Sequence, residues 1–130
     1  MSVSHSKVSL LTDGADSNVV RPSDWNADHV LDVEVNAQTG TSYTLQASDN
    51  GKVVTLSNGS AIALTVPTAL GTGFSCLLVQ LGAGAVTVSA GASATVNSRG
   101  ALVALNGQYA VASLIPTATA NSYILAGDLA

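Results

Sequence analysis

An all-β fold, a small antiparallel β-sandwich or barrel preceded by an extended N-terminal arm, is what three features of the sequence predict. From Tyr43 onward, apolar residues come in short β-branched or Leu-rich runs broken by Gly, Asn, Ser and Pro. No part of that region sustains a helical period. The segment 1–40 sustains neither period and holds six of the eight acidic residues, Asp13, Asp16, Asp24, Asp28, Asp32 and Glu34. The expected division is therefore an arm over residues 1–40 and a β domain over residues 41–130. A chain of 130 residues suits one such domain.

In the arm, Thr12-Asp13-Gly14-Ala15-Asp16-Ser17-Asn18 is turn chemistry, so little regular structure is expected. Pro22 biases Arg21 toward an extended conformation, and Ser23 or Asp24 can then cap one helical turn through Trp25 to Asp28. Trp25 is the only tryptophan. An aromatic of that size on a polar arm suits a pocket on another surface, and it equally suits the end of its own domain's core. Val20, Arg21, Pro22, Trp25, Asn26, His29 and Val30 are the candidate partner-binding residues, facing either another molecule or a neighbouring subunit. Neither Asp24, Asp28 and His29 nor Asp13, Asp16 and Asn18 has the spacing of a recognised metal site.

In the body, strands are expected near Tyr43–Gln46, Lys52–Ser57, Ala61–Pro67, Phe74–Leu81, Val86–Ala90, Ala94–Asn97, Leu102–Asn106, Tyr109–Ile115 and Tyr123–Ala126. Asn58-Gly59 has the residue pair of a tight two-residue hairpin, which should pair Val54–Ser57 with Ser60–Leu64. Phe74 to Leu81 is apolar on both faces, so it needs a central place between layers or a partner chain over one side. With few charges to keep monomers apart, a homo-oligomer is expected. Val54–Ser60 is echoed by Val86–Ala92, as two hairpins of similar build would explain; a solenoid would need at least three clear repeats.

Composition narrows function. Net charge is −4, and four Lys plus Arg argue against nucleic-acid binding. No apolar run reaches the ~18 residues of a membrane span. Cys76, the single cysteine, precludes an intrachain disulfide and reads as a small core residue. Past residue 34 the charged groups are Asp49, Lys52, Arg99 and Asp128, with no histidine, so acid–base catalysis has few players and no enzyme and no cofactor is expected. Gly71-Thr72-Gly73 and Gly82-Ala83-Gly84 complete no phosphate-loop motif. The start Met1–Lys7 lacks secretory features, which suggests a protein working where it is made or leaving with a larger particle.

The segment Arg21-Pro22-Ser23-Asp24-Trp25-Asn26-Ala27-Asp28-His29 resembles one near the N-termini of tailed-bacteriophage virion proteins. The body resembles small β modules of phage tail fibres, spikes and capsid-surface proteins through Asp49–Val54, Ala61–Pro67, Gly84–Val88, Gln108–Ala112 and Leu125–Leu129. The resemblance implies a structural virion protein made in the host cytoplasm and placed on the virion surface, with the major capsid protein or another virion protein as partner. Arm and module alone favour a capsid decoration (cement) protein, with a trimer as the favoured oligomer. A minor tail or tail-fibre-associated protein, with host-receptor or glycan binding, is the alternative; only Tyr43, Tyr109, Tyr123 and Trp25 could stack on sugars.

Overall fold

The computed structural model describes residues 2–3, 12, 14–15, 29–30 and 32–130, in two units, Met1–Asp32 and Val33–Ala130. The first unit contains a short antiparallel ladder between β1 (Ser2–Val3) and β2 (His29–Val30), with Ser2 opposite Val30 and Val3 opposite His29.

The second unit is all-β, and its strands stack as in a solenoid. Its chain alternates between two sheets: β3 (Val35–Gln38), β5 (Val53–Leu56) and β7 (Cys76–Gln80) lie in one, and β4 (Ser42–Thr44), β6 (Ile62–Val66) and β8 (Val86–Ala90) in the other. Each rung stacks in parallel on the one before. Val35 pairs with Val53, and Val53 in turn with Leu77. In the second sheet Ser42 pairs with Ala63 and Ile62 with Val86. The C-terminal third closes the stack differently. β9 (Thr95–Ser98), β10 (Val111–Pro116) and β11 (Ser122–Gly127) complete a six-stranded sheet in the order β3-β5-β7-β10-β11-β9. Here β10 runs antiparallel to both β7 and β11, while β9 runs parallel to β11.

This pairing corrects the expected antiparallel sandwich and its hairpin. β5 and β6 are not ladder partners; Asn58-Gly59-Ser60 carries the chain from one sheet to the other. The reason lies in how Asn58 uses its amide. Its Nδ2 donates to the Thr39 carbonyl of the preceding corner at 2.7 Å, and its Oδ1 accepts from the Ser60 N–H at 2.8 Å. Neither Asn58 nor Gly59 takes the left-handed conformation that a tight two-residue turn requires. The next corner stacks directly on this one, with the Gly84 N–H donating to the Asn58 carbonyl at 2.8 Å. A Cβ on Gly82 would collide with the Asn58 backbone, and one on Gly84 with the Ser60 carbonyl. Glycine is needed there for close approach of two backbones.

The expected strand positions are otherwise close to those observed, with two exceptions. Leu102–Asn106 supplies only isolated bridges at Ala104 and Leu105, and Val35–Gln38 adds a strand ahead of Tyr43.

Between the two sheets, Val54, Leu56, Cys76, Leu78, Leu114 and Leu125 meet Ile62, Leu64, Val66, Val86 and Val88, each at most 5% exposed. Each buried Val, Leu or Ile contributes about 1.5–3 kcal/mol by leaving water. Phe74 and Tyr123 pack edge to face, centroids 6.3 Å apart. Cys76 lies in this core, and burial pushes its thiol pKa up to about 12, with a smaller contribution from Asp49.

The corner contact yields a paired prediction. Gly84→Ala lowers stability by about 3 kcal/mol because the backbone must shift. Gly59→Ala, with open space around its Cβ position, stays within about 1 kcal/mol of wild type. Urea unfolding measures both, and equal losses would remove the corner contact as a determinant.

Candidate functional site

Of the arm residues assigned to partner binding, Val20, Arg21, Pro22, Trp25 and Asn26 lie outside the described residues, as do Asp24, Asp28 and the helical turn expected there. His29 and Val30 form β2, whose backbone pairs with β1.

The most concentrated polar site in the second unit surrounds Asp49. A short 3-10 turn, Ala47–Asp49, folds its side chain beneath the first rung, where it is 1% exposed. One carboxyl oxygen accepts from Asn36 Nδ2 at 2.7 Å. The other accepts from the Tyr43 hydroxyl and the Gln46 N–H, both at 2.8 Å. Asn36 Nδ2 also donates to the Tyr43 hydroxyl at 2.8 Å, and Gln38 Nε2 donates to Asn36 Oδ1 at 2.8 Å. Burial, and then its hydrogen bond to Asp49, raise the Tyr43 pKa. Asn36 and Gln38 are the inward residues of β3, at the end of the stack where no earlier rung of the unit covers the core. Polar side chains satisfied by one another close that end, as a capping repeat does. With three donors on its two oxygens, Asp49 fastens this cap.

The other charged groups are dispersed. Lys52 pairs with Glu34 at 2.7 Å on the surface, an exposed contact that lowers the pKa of Glu34 and raises that of Lys52. Asp128 accepts from Asn106 Nδ2 at 2.9 Å. Among the described residues no three His, Cys, Asp or Glu side chains gather as a metal site, and no helix is long and apolar enough to cross a membrane. Gln80, buried beside Leu56 in the ladder, donates Nε2 to the Gly82 carbonyl at 3.3 Å, and its Oε1 accepts nothing among the described residues.

The second unit carries a surface cleft of about 300 Å³ between Gly71-Thr72-Gly73 and the turn joining β10 to β11, lined by Thr, Ala, Gly, Asn and Ser together with Tyr123. Another, of about 380 Å³, opens on the six-stranded sheet beside Lys52, Leu77, Ser113 and Ile115.

The outer face of that sheet is the most distinctive surface of the unit. β7 turns Cys76, Leu78 and Gln80 inward and Leu77 and Val79 outward, so the two-faced strand read from the sequence has one face in the core and the other on the surface. The neighbouring strands repeat the pattern with Val35, Val111, Ile115 and Ile124, exposed at 61%, 44%, 45% and 38%. Just ahead of β10, Tyr109 is 71% exposed and held at φ 71°, in the left-handed region that bulky side chains avoid. Its N–H donates to the Gln80 carbonyl at 2.6 Å, which fixes that conformation. Only the outer face of β7 was legible beforehand; Tyr109's backbone leaves no trace in composition or spacing.

No family model, curated protein or solved structure matches this chain.

Two substitutions test these assignments. Asp49→Ala leaves the Tyr43 hydroxyl and the Gln46 N–H without their acceptor and takes one of two acceptors from Asn36 Nδ2, and costs about 2–4 kcal/mol in urea unfolding; a loss under ~0.5 kcal/mol would remove Asp49 from the cap. Tyr109→Asn places a residue tolerant of positive φ at the strained position. It should gain about 1 kcal/mol, seen as a rise of a few degrees in Tm, and a lower Tm would mean the ring contributes packing.

Proposed function

We propose that this chain is a structural protein of a tailed-bacteriophage virion, a capsid decoration (cement) protein without catalytic activity. It binds the assembled head through its N-terminal arm and stabilises junctions between capsomers. The supporting observation is the division into two units: a stacked β body whose buried carboxyl is fully engaged in closing the core, and an N-terminal segment carrying most of the acidic residues and the single Trp. A body of that kind offers surface rather than chemistry, and the arm's resemblance to phage virion proteins supplies the setting. An arm laid across neighbouring capsomers makes its full set of contacts only on an assembled head, and many copies turn weak contacts into firm attachment. Trp25, Val20 and Val30 supply the apolar area that offsets the entropy of ordering the arm. On this reading the partner is the major capsid protein and the protein sits on the capsid exterior as a homo-oligomer.

Parallel stacking favours a second reading, a minor tail or tail-fibre-associated role, because rungs of this geometry extend by addition into a longer shaft. One experiment separates the two and tests both. Deleting residues 1–30 should abolish co-sedimentation with purified heads while leaving the β circular-dichroism spectrum intact, and full-length protein should label heads in electron micrographs. Retained binding removes the arm from the mechanism, and label confined to tails replaces the cement reading.

A further inference from the structure

We propose that the outward face of the six-stranded sheet is a self-association surface, covered by the same face of a second copy of this chain. The inference rests on the β unit alone and does not depend on the virion reading.

A solvated sheet face normally alternates apolar-in with polar-out. Here the outward rows read Val35, Val53, Leu77, Ser113, Ala126 and Ala37, Thr55, Val79, Val111, with Ile115 beside Ile124. No charged residue occurs in them. Contiguous apolar surface spread over five strands marks a contact site.

Charge identifies the occupant. A partner presenting Lys, Arg, Asp or Glu to this face would bury those groups without compensation, which is strongly unfavourable. The fitting surface is flat, apolar and uncharged, and a second copy presents one. Within the β unit the charges stand at the borders of this face and not inside it: Asp49 is buried, Lys52 pairs with Glu34 at one edge, and Asp128 lies beside Val111, to whose carbonyl its N–H donates. Sheets stack face to face at about 10 Å with interdigitating side chains, and the same patch on both partners makes a closed, two-fold contact. Tyr109, exposed beyond Val111 despite its unfavourable backbone, adds an aromatic at the rim.

Area sets the strength. Five strands about 4.8 Å apart, with four or five residues each at about 3.3 Å, span roughly 400 Å² of plane. A standard stable interface takes about 800 Å² from each partner. The pair is therefore a weak one that assembles with concentration.

Sedimentation velocity on the full chain between about 1 and 200 µM tests this, since affinities of this interface class fall in that range. The wild type should move from one copy toward two. Leu77→Glu, and independently Val111→Glu, should weaken association by on the order of tenfold or more, with circular dichroism and urea unfolding unchanged because both side chains point outward. An equimolar mixture of Leu77→Glu and Leu77→Lys should recover it, which only face-to-face contact between copies explains. A wild type that stays monomeric throughout, or an oligomer that both Glu variants leave intact, overturns the proposal. Loss of head binding on removing the arm bears on the cement reading alone.

Discussion

Backbone meets backbone where Asn58-Gly59-Ser60 lies against Gly82-Ala83-Gly84, and the remainder of the body depends on that approach. Corners that stack without side chains between them fix the rise from one rung to the next at the spacing of a hydrogen-bonded sheet. Two parallel ladders then run in step on either side of the corner, Val54 over Leu78 in one and Leu64 over Val88 in the other. Because side chains alternate strictly along a strand, this register decides at once which residues enter the core and which remain outside. The buried layer of Val, Leu and Ile and the uncharged outer face are thus two outcomes of one constraint.

Local character was far more legible in the sequence than pairing. Val86–Ala90 is found where its β-branched pattern puts it, and β5, β6 and β7 fall within a residue or two of their expected ends. Which strand lies beside which was hidden, because the second rung matches the third at the offset that sets Val53 on Leu77, and at that offset only Ala61 and Ala85 are identical. The more visible echo, Val54–Ser60 with Val86–Ala92, aligns a strand of one sheet with a strand of the other. Asn58-Gly59 misled for a related reason, since its turn chemistry serves a bend between sheets in place of a reversal within one.

The first rung was obscured by its place at the end of the stack. In β3 the inward positions are Asn36 and Gln38 and the outward ones Val35 and Ala37, the reverse of the pattern that signals a half-buried strand. That inversion is what closing a core with hydrogen bonds looks like in sequence. Asp49 belongs to the same device: Ser48-Asp49-Asn50-Gly51 announces a turn, but nothing in those letters says that the carboxyl folds inward. Of the candidate site, the apolar outer face of β7 could be read directly, whereas its continuation across β10 and β11 needed the sheet order.

That sheet order also ranks the ladders by the length of chain that each must close. The β10–β11 ladder joins strands separated only by the short connection 117–121, so its loop closes at small entropic cost and on the microsecond scale of hairpins. The parallel rungs join residues as distant in the chain as Val35 and Val53, or Val53 and Leu77, and each needs a formed neighbour to pair against. Of the ladders in this sheet, the C-terminal hairpin is thus the one that closes the shortest stretch of chain.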